Sequence, residues 1–256
     1  MRIKRLQPFW EFMLDVTLYG MNIGPASLPL YSGETYLLKN LRKILRKKND
    51  SVITVFDVGA NIGDYALEAY SILGAATRIF CFEPSNATFE ILKENTRCID
   101  TIVAHHHGFS DRDEALELFS DKQGSGLASV YGRRLDHLGT HLRNREMVRL
   151  STIDRFCREN NIMSINLLKV DVEGHEYKVF EGAAGMLDAN TIDVIQFEFG
   201  GCNIDSRTFF QDFYYLLNPK YRLFRLAVDG IVPIDIYNEK YEQFRTTNFI
   251  AIHRNI

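Results

Sequence analysis

The chain has 256 residues, 46% hydrophobic and 25% charged, with 17 Gly and 6 Pro, which excludes disordered, low-complexity and collagen-like classes. Its 30 basic and 33 acidic residues are interspersed and leave a formal charge of -3, so no nucleic-acid partner is expected. Cys81, Cys98, Cys157 and Cys202 form no CxxC pair and no zinc-ligand spacing, and no apolar run of about 18 residues occurs. These features fit a reducing, cytoplasmic setting without a membrane span.

Residues 1–50 read as an N-terminal helical appendage to a single domain over residues 51–256. The appendage starts basic (Arg2, Lys4, Arg5) and amphipathic (Phe9, Trp10, Phe12, Met13). A Gly/Pro/Ser-rich middle follows over 20–33, then a helical run over 34–48. Such a segment suits packing on its own domain, a second copy in a homodimer, or peripheral contact with a membrane surface.

From residue 52, short β-rich runs at 52–58, 78–83, 102–106, 165–171 and 194–199 alternate with helical stretches at 64–73, 87–97, 153–160 and 175–187. This pattern predicts an α/β fold, a mostly parallel sheet with helices on both faces. After a helix over 208–217, strands at 221–228 and 248–253 can pair as a hairpin and give the sheet an antiparallel edge.

Residues 55–65, VFDVGANIGDY, end an apolar strand in Asp57, Gly59, Asn61 and Gly63 and open a helix. Glycines there allow close backbone approach, and the helix N-terminus offers free N–H groups to an anionic ligand. The GxxxG spacing departs from the GxGxxG of dinucleotide sites. Glu83 follows at the end of the next strand, where an acidic side chain can accept both hydroxyls of an adenosine ribose. LLKVDVEGHE over 167–176 then delivers Asp171, Glu173 and His175 to the carboxyl-end crevice, with Glu198 of IQFE directed at the same place.

In this order and spacing, FDVGANIGDY, CFEPSNATFEILKEN, LSTIDRFCREN, LLKVDVEGHEYKVFEGA and IQFE resemble the FkbM family of S-adenosylmethionine-dependent methyltransferases. YGMNIG followed by SGE is similar to a leader of some members. The resemblance implies a Rossmann-like, seven-stranded class I methyltransferase sheet, S-adenosyl-L-methionine as cofactor (product S-adenosyl-L-homocysteine), and O-methylation of a hydroxyl, often on a sugar of a glycan or on a natural product.

Carried over by position, Asp57, Gly59, Asn61 and Gly63 form the methionine-side loop, Glu83 holds the ribose, and Ser110 and Asp111 lie near the adenine; Asp171 faces both cofactor and acceptor. His175 is expected as the general base by its ordinary pKa, Glu173 as an anion that holds the acceptor, and Glu198 as the group that orients His175 or holds a sugar hydroxyl. Acceptor specificity is assigned to the appendage and to the region after Gly201. No metal is expected; the run His105, His106, His107 departs from the family's apolar composition, but alternate strand residues face opposite ways. The segment 123–129, QGSGLAS, suits a lid or a simple loop. The competing readings are a nicotinamide-dependent oxidoreductase and a non-catalytic glycan-binding or assembly protein on the same scaffold.

Overall fold

The computed structural model describes residues 4–24, 32–45 and 51–256; residues 25–31 and 46–48 of the expected loop and helix lie outside the described residues. In α1 (Gln7–Gly20) the polar residues Gln7, Glu11 and Asp15 recur every fourth position on one stripe. Phe9, Trp10, Phe12, Met13, Leu14, Val16 and Tyr19 are exposed, and Leu18 is buried. The C-terminal end of α1 is tied down by an Arg245–Asp15 ion pair at 2.8 Å and by Gly24 N–H donating to the Thr246 carbonyl. No helix among the described residues is long and apolar enough to cross a membrane.

The second helix, α2 (Glu34–Ile44), is not peripheral. Leu37, Leu38 and Leu41 recur on one face and are buried in the same apolar cluster as the sheet residues Val55, Ile79 and Leu167. Gly33 starts the helix at φ 80°, and a Cβ there would lie 2.4 Å from the Ala227 carbonyl oxygen. Only glycine permits that approach. The division drawn at residue 50 therefore does not separate two packing units, because α2 shares the core.

The chain then runs through β1 (Ile53–Val58), α3 (Asp64–Leu73), β2 (Thr77–Phe82), α4 (Asn86–Thr96) and β3 (Ile102–His105). Next come β4 (Gly108–Phe109), β5 (Glu114–Ser120), β6 (Asn144–Ser151), α5 (Ile153–Glu159) and β7 (Ile165–Val170). The last part holds α6 (Glu176–Glu181), α7 (Ala184–Asp188), β8 (Ile192–Phe199), α8 (Cys202–Ser206), α9 (Phe210–Leu217), β9 (Tyr221–Ala227), β10 (Gly230–Ile234) and β11 (Thr247–His253). The main sheet has the order β10-β9-β11-β8-β7-β1-β2-β3. The pairs linking β3, β2, β1, β7 and β8 are parallel, and β11 is antiparallel to both its neighbours. Alternation along β1 sends Ile53 and Val55 to the α2 and α3 side and Phe56 and Val58 to the side holding Phe156, Phe180 and Phe213.

This is the class I methyltransferase sheet, with three corrections. It has eight strands, because the turn after β9 returns the chain as β10. The two late strands do pair antiparallel, as expected, but not as a hairpin: β10 lies between them in sequence and pairs with β9, and β11 inserts between β8 and β9. The burial patterns explain this, since every residue of β11 is buried and needs a neighbour on each side, whereas β10 is buried only at Ile234 and carries Pro233, which suits an edge. The single helix expected over 175–187 is broken into α6 and α7, where a Cβ on Gly182 would meet the Ser110 carbonyl at 2.0 Å.

A second sheet of order β4-β6-β5 stands beside the main one over the small core of Leu118, Val148 and Leu150. If α2 is core, Leu41→Ala should lower the unfolding free energy by roughly 2 to 5 kcal/mol in one cooperative transition. Denaturant unfolding followed by tryptophan fluorescence and circular dichroism tests this. A small loss confined to a separate transition would make α2 an attachment after all.

Candidate functional site

β1, β7 and β8 lie side by side with Asp57, Lys169 and Gln196 in register across them. Lys169 is buried, with Nζ 3.3 Å from Asp57 Oδ1, 3.3 Å from Asp171 Oδ2, and 5.0 Å from the centre of the Tyr65 ring. Burial alone would lower its pKa, but Asp57, Asp171 and Glu34 outweigh that and hold it well above the ordinary lysine value. The row continues through Tyr65, whose hydroxyl donates to Gln196 Oε1 at 3.1 Å, and Gln196 Nε2, which donates to Glu34 Oε1 at 2.7 Å. Asp57 was expected on the cofactor loop. Its carboxylate is instead fully buried against Lys169 and lines neither of the two pockets described below.

The loop after β1 holds Gly59 at φ 81°, Asn61 at φ 45° and Gly63 at φ 96°. A Cβ on Gly59 would sit 1.8 Å from the Asp171 carbonyl oxygen, so the close approach of the ends of β1 and β7 already requires the glycine, which also lines both pockets described below. Gly63 faces Leu92 of α4 and lines neither pocket. Asn61 and Glu83 do meet: Asn61 N–H donates to Glu83 Oε2 at 3.1 Å, and Ser85 N–H to Oε1 at 2.9 Å. Burial pushes Glu83 up to about 7, against these two bonds. The Asn61 side-chain oxygen is buried without a partner.

These groups line a pocket of about 110 Å³ whose apolar wall includes Pro84, Phe109, Leu118, Val130 and Leu150. An apolar slot with a carboxylate at one side and an unsatisfied amide oxygen at the other suits the ring and ribose of an adenosine cofactor. Gly108 and Phe109 line this pocket where Ser110 and Asp111 were expected. Ser110 is fully buried, and Asp111 is turned to Lys178 at 2.8 Å, which holds it below the usual carboxylate range.

Asp171, Glu173 and His175 follow β7, as expected. Glu173 adopts φ 53°, and its carboxylate is bonded to the Arg133 guanidinium. Burial and neighbouring Asp171 push it up to about 8 despite that partner. The turn is held by Glu176, missed in the sequence, whose Oε1 accepts from Val172 N–H at 3.1 Å and Gly174 N–H at 3.0 Å.

His175 has no nitrogen to spare. Its Nε2 lies 3.0 Å from Ser110 Oγ and its Nδ1 3.0 Å from the Tyr131 hydroxyl. Ser110 donates to Glu114 at 2.7 Å, so it accepts from Nε2–H, and Nδ1 accepts from Tyr131. Burial lowers His175 to about 4, so the ring is neutral, and it lines the smaller pocket with both nitrogens engaged, where a free base nitrogen was expected.

Glu198 lines a larger cleft of about 1320 Å³ together with Glu34, Lys169, Asp171 and Glu173. Burial, then Asp171 and Glu173, push its pKa well above the carboxylate range. Among the described residues it makes no side-chain hydrogen bond and no ion pair. Glu173, Glu198 and Cys202 bring ligand-type atoms within 4.8 Å of one another, but the Arg133 guanidinium already supplies positive charge at Glu173. The cleft and the smaller pocket share Gly59, Asn61, Gly126, Asp171 and Glu173. A ligand in the pocket thus opens toward one in the cleft.

The segment 123–129 contributes walls to both: Ser125, Gly126 and Ala128 to the pocket, Gly124, Gly126 and Leu127 to the cleft. The three histidines form no common site. His105 stacks on Phe82 at 5.2 Å, His107 meets Phe109 edge-on at 5.2 Å, and His106 stacks on Phe89 at 4.6 Å. Tyr131 and Arg133 were not singled out in the sequence; the only local signal was the aromatic and basic run YGRR in a polar connection.

Comparison with known proteins agrees with this arrangement. Residues 57–226 match the family described as Methyltransferase FkbM domain. The chain is 27% identical over 177 residues to the hexuronic acid methyltransferase AglP of Haloferax volcanii, covering 65% of this chain and 67% of that protein. It is 29% identical over 160 residues to the 2-O-methyltransferase NoeI of Sinorhizobium fredii, covering 58% and 64%. Methyltransferase 1 of Beauveria bassiana is 29% identical over 143 residues, with 50% of this chain and 57% of that one covered. The match thus spans little more than half to two thirds of these relatives.

Lys169→Met should destabilise the fold by roughly 3 to 5 kcal/mol by leaving Asp57 buried without its cation, and adding Asp57→Asn should recover most of the loss. Equal stability of the single variant and wild type in denaturant unfolding would refute the assignment. For Glu83 the sign follows from the proton. Ribose hydroxyls donate to the ionised carboxylate, which is the minor form below its pKa of about 7. S-adenosylhomocysteine affinity should therefore rise from pH 6 to 8 with proton release. Glu83→Gln should remove that rise and weaken binding by roughly 1.5 to 3 kcal/mol. Calorimetry in buffers of different ionisation enthalpy measures both, and pH-independent binding by wild type would remove Glu83 from the ribose.

Proposed function

This chain belongs to the FkbM family of S-adenosylmethionine-dependent methyltransferases, and from that premise we propose that it methylates a hydroxyl of a sugar, in a glycan or a glycosylated small molecule. The family assignment sets aside the nicotinamide-dependent reading. The sugar is supported by two relatives, one named for hexuronic acid and one for 2-O-methylation. The observation that carries O-methylation is Glu198, an unpartnered carboxylate of raised pKa in the cleft that adjoins the cofactor pocket.

A neutral hydroxyl is a poor nucleophile, so transfer needs a base at its proton and a fixed approach of its oxygen. When bound, the cofactor supplies an electrophilic methyl group on a sulfonium. Glu198 takes the hydroxyl proton as the oxygen gains the methyl, and its raised pKa makes its ionised form a stronger base than an ordinary carboxylate. Glu173, fixed by Arg133, and Asp171, fixed by Lys169, accept from neighbouring hydroxyls and orient the ring. His175 acts behind them, linking Tyr131 to Ser110.

Glu198→Gln should cut kcat by about 100-fold or more while leaving S-adenosylhomocysteine affinity within a few-fold. Wild-type activity should rise with pH as Glu198 loses its proton, and His175→Ala should keep that pH profile because the imidazole is already neutral above about 4. A pH dependence abolished by His175→Ala and untouched by Glu198→Gln would return the base to His175.

A further inference from the structure

Cations are distributed unevenly in the large cleft. Lys169 is committed to Asp57 and Asp171, Arg133 to Glu173, and Arg245 to Asp15. Two more guanidiniums, Arg134 and Arg207, line the cleft. Both residues are exposed, and among the described residues neither makes a hydrogen bond or an ion pair through its side chain.

They come from segments that meet beside the cleft. Arg134 follows Arg133, Arg207 closes α8, and these two segments meet where Arg133 Nε lies 4.0 Å from Asp205 Oδ2. The backbone at Arg207 adds a second observation. It has φ 62° and ends the helix with Thr208 N–H donating to the Asn203 carbonyl at 3.2 Å, a position where glycine or asparagine is ordinary. An arginine there carries a local conformational cost that glycine or asparagine would largely avoid. The cations beside Asp171 and Glu173 are already paired with carboxyl groups, whereas Arg134 and Arg207 line the same cleft with unpaired guanidiniums among the described residues.

We propose, resting on the sugar reading above, that the acceptor is an acidic sugar whose carboxylate is held by Arg134 and Arg207 while its hydroxyl faces Glu198. Guanidinium matches carboxylate with paired N–H donors, so the contact fixes orientation as well as charge. The anionic group then decides which hydroxyl of the ring points inward.

The test uses the full chain saturated with S-adenosylhomocysteine and two probes, a trisaccharide ending in glucuronate and its counterpart ending in glucose. The variants are Arg134→Gln and Arg207→Asn, the latter suited to the left-handed backbone so that the fold survives. Calorimetry should show the glucuronate probe bound about fivefold or more tightly than the glucose probe, with the preference shrinking as salt is added. Each variant should erode the preference and the double variant should erase it, leaving the glucose probe and S-adenosylhomocysteine bound as before. Equal binding of both probes by wild type, or a preference that survives in the double variant, overturns the acidic-sugar assignment and leaves sugar methylation standing. Binding of neither probe while S-adenosylhomocysteine binds normally overturns the sugar reading and this inference with it.

Discussion

A lysine ammonium enclosed within a parallel sheet constrains everything near it. Lys169 is almost wholly buried, so its charge persists because Asp57 and Asp171 approach from two sides and Tyr65 covers it with a ring face. Those partners come from β1, from the turn after β7, and from α3. The cation therefore fixes the relative placement of the elements that bound the crevice. Glu34 joins the same field through Gln196, which explains why a helix outside the alternating α/β pattern is built into the core.

The turn after β7 is the second constraint. Glu173 sits at positive φ, a conformation that costs a non-glycine residue roughly 1 to 2 kcal/mol. Two amide N–H groups bonded to Glu176 and a bond from Ser129 Oγ to the Glu173 carbonyl at 2.7 Å hold the turn in place. The strained residue is thus over-determined by its surroundings, as expected where a side chain must be aimed before a ligand arrives. Cys202 adds to the restriction, since its carbonyl lies 3.0 Å from where a Cβ on Gly174 would stand.

Much of this was legible in the sequence, because acidic residues directly after apolar β-rich runs mark the carboxyl ends of parallel strands. Glu83, Asp171, Glu173 and Glu198 could be placed at the crevice on that basis, and all four line it. Which way Asp57 faces could not be read, since that depends on Lys169, 112 positions away in sequence. The setting of His175 could not be read for a similar reason, since the partners that engage both nitrogens come from loops without periodicity. β5 and β6 were overlooked although Leu116, Leu118, Val148 and Leu150 alternate along them in the period of a half-buried strand. β10 was hidden by Pro233, which argues against a central strand but not against an edge.

Charge in the cleft is layered from the interior outward. The buried cation Lys169 lies deepest, the carboxylates Asp171, Glu173 and Glu198 follow, and the exposed guanidiniums of Arg134 and Arg207 lie along the wall. Interaction between unit charges weakens with distance and with solvent exposure, so each layer acts chiefly on what lies beside it. The carboxylate layer consequently stands next to the shared mouth of the two pockets, where the proposed transfer needs a proton acceptor. Glu173 is held by Arg133 and Asp171 by Lys169, which leaves Glu198 as the member of the trio without a cation partner among the described residues, the arrangement that the proposed proton transfer requires.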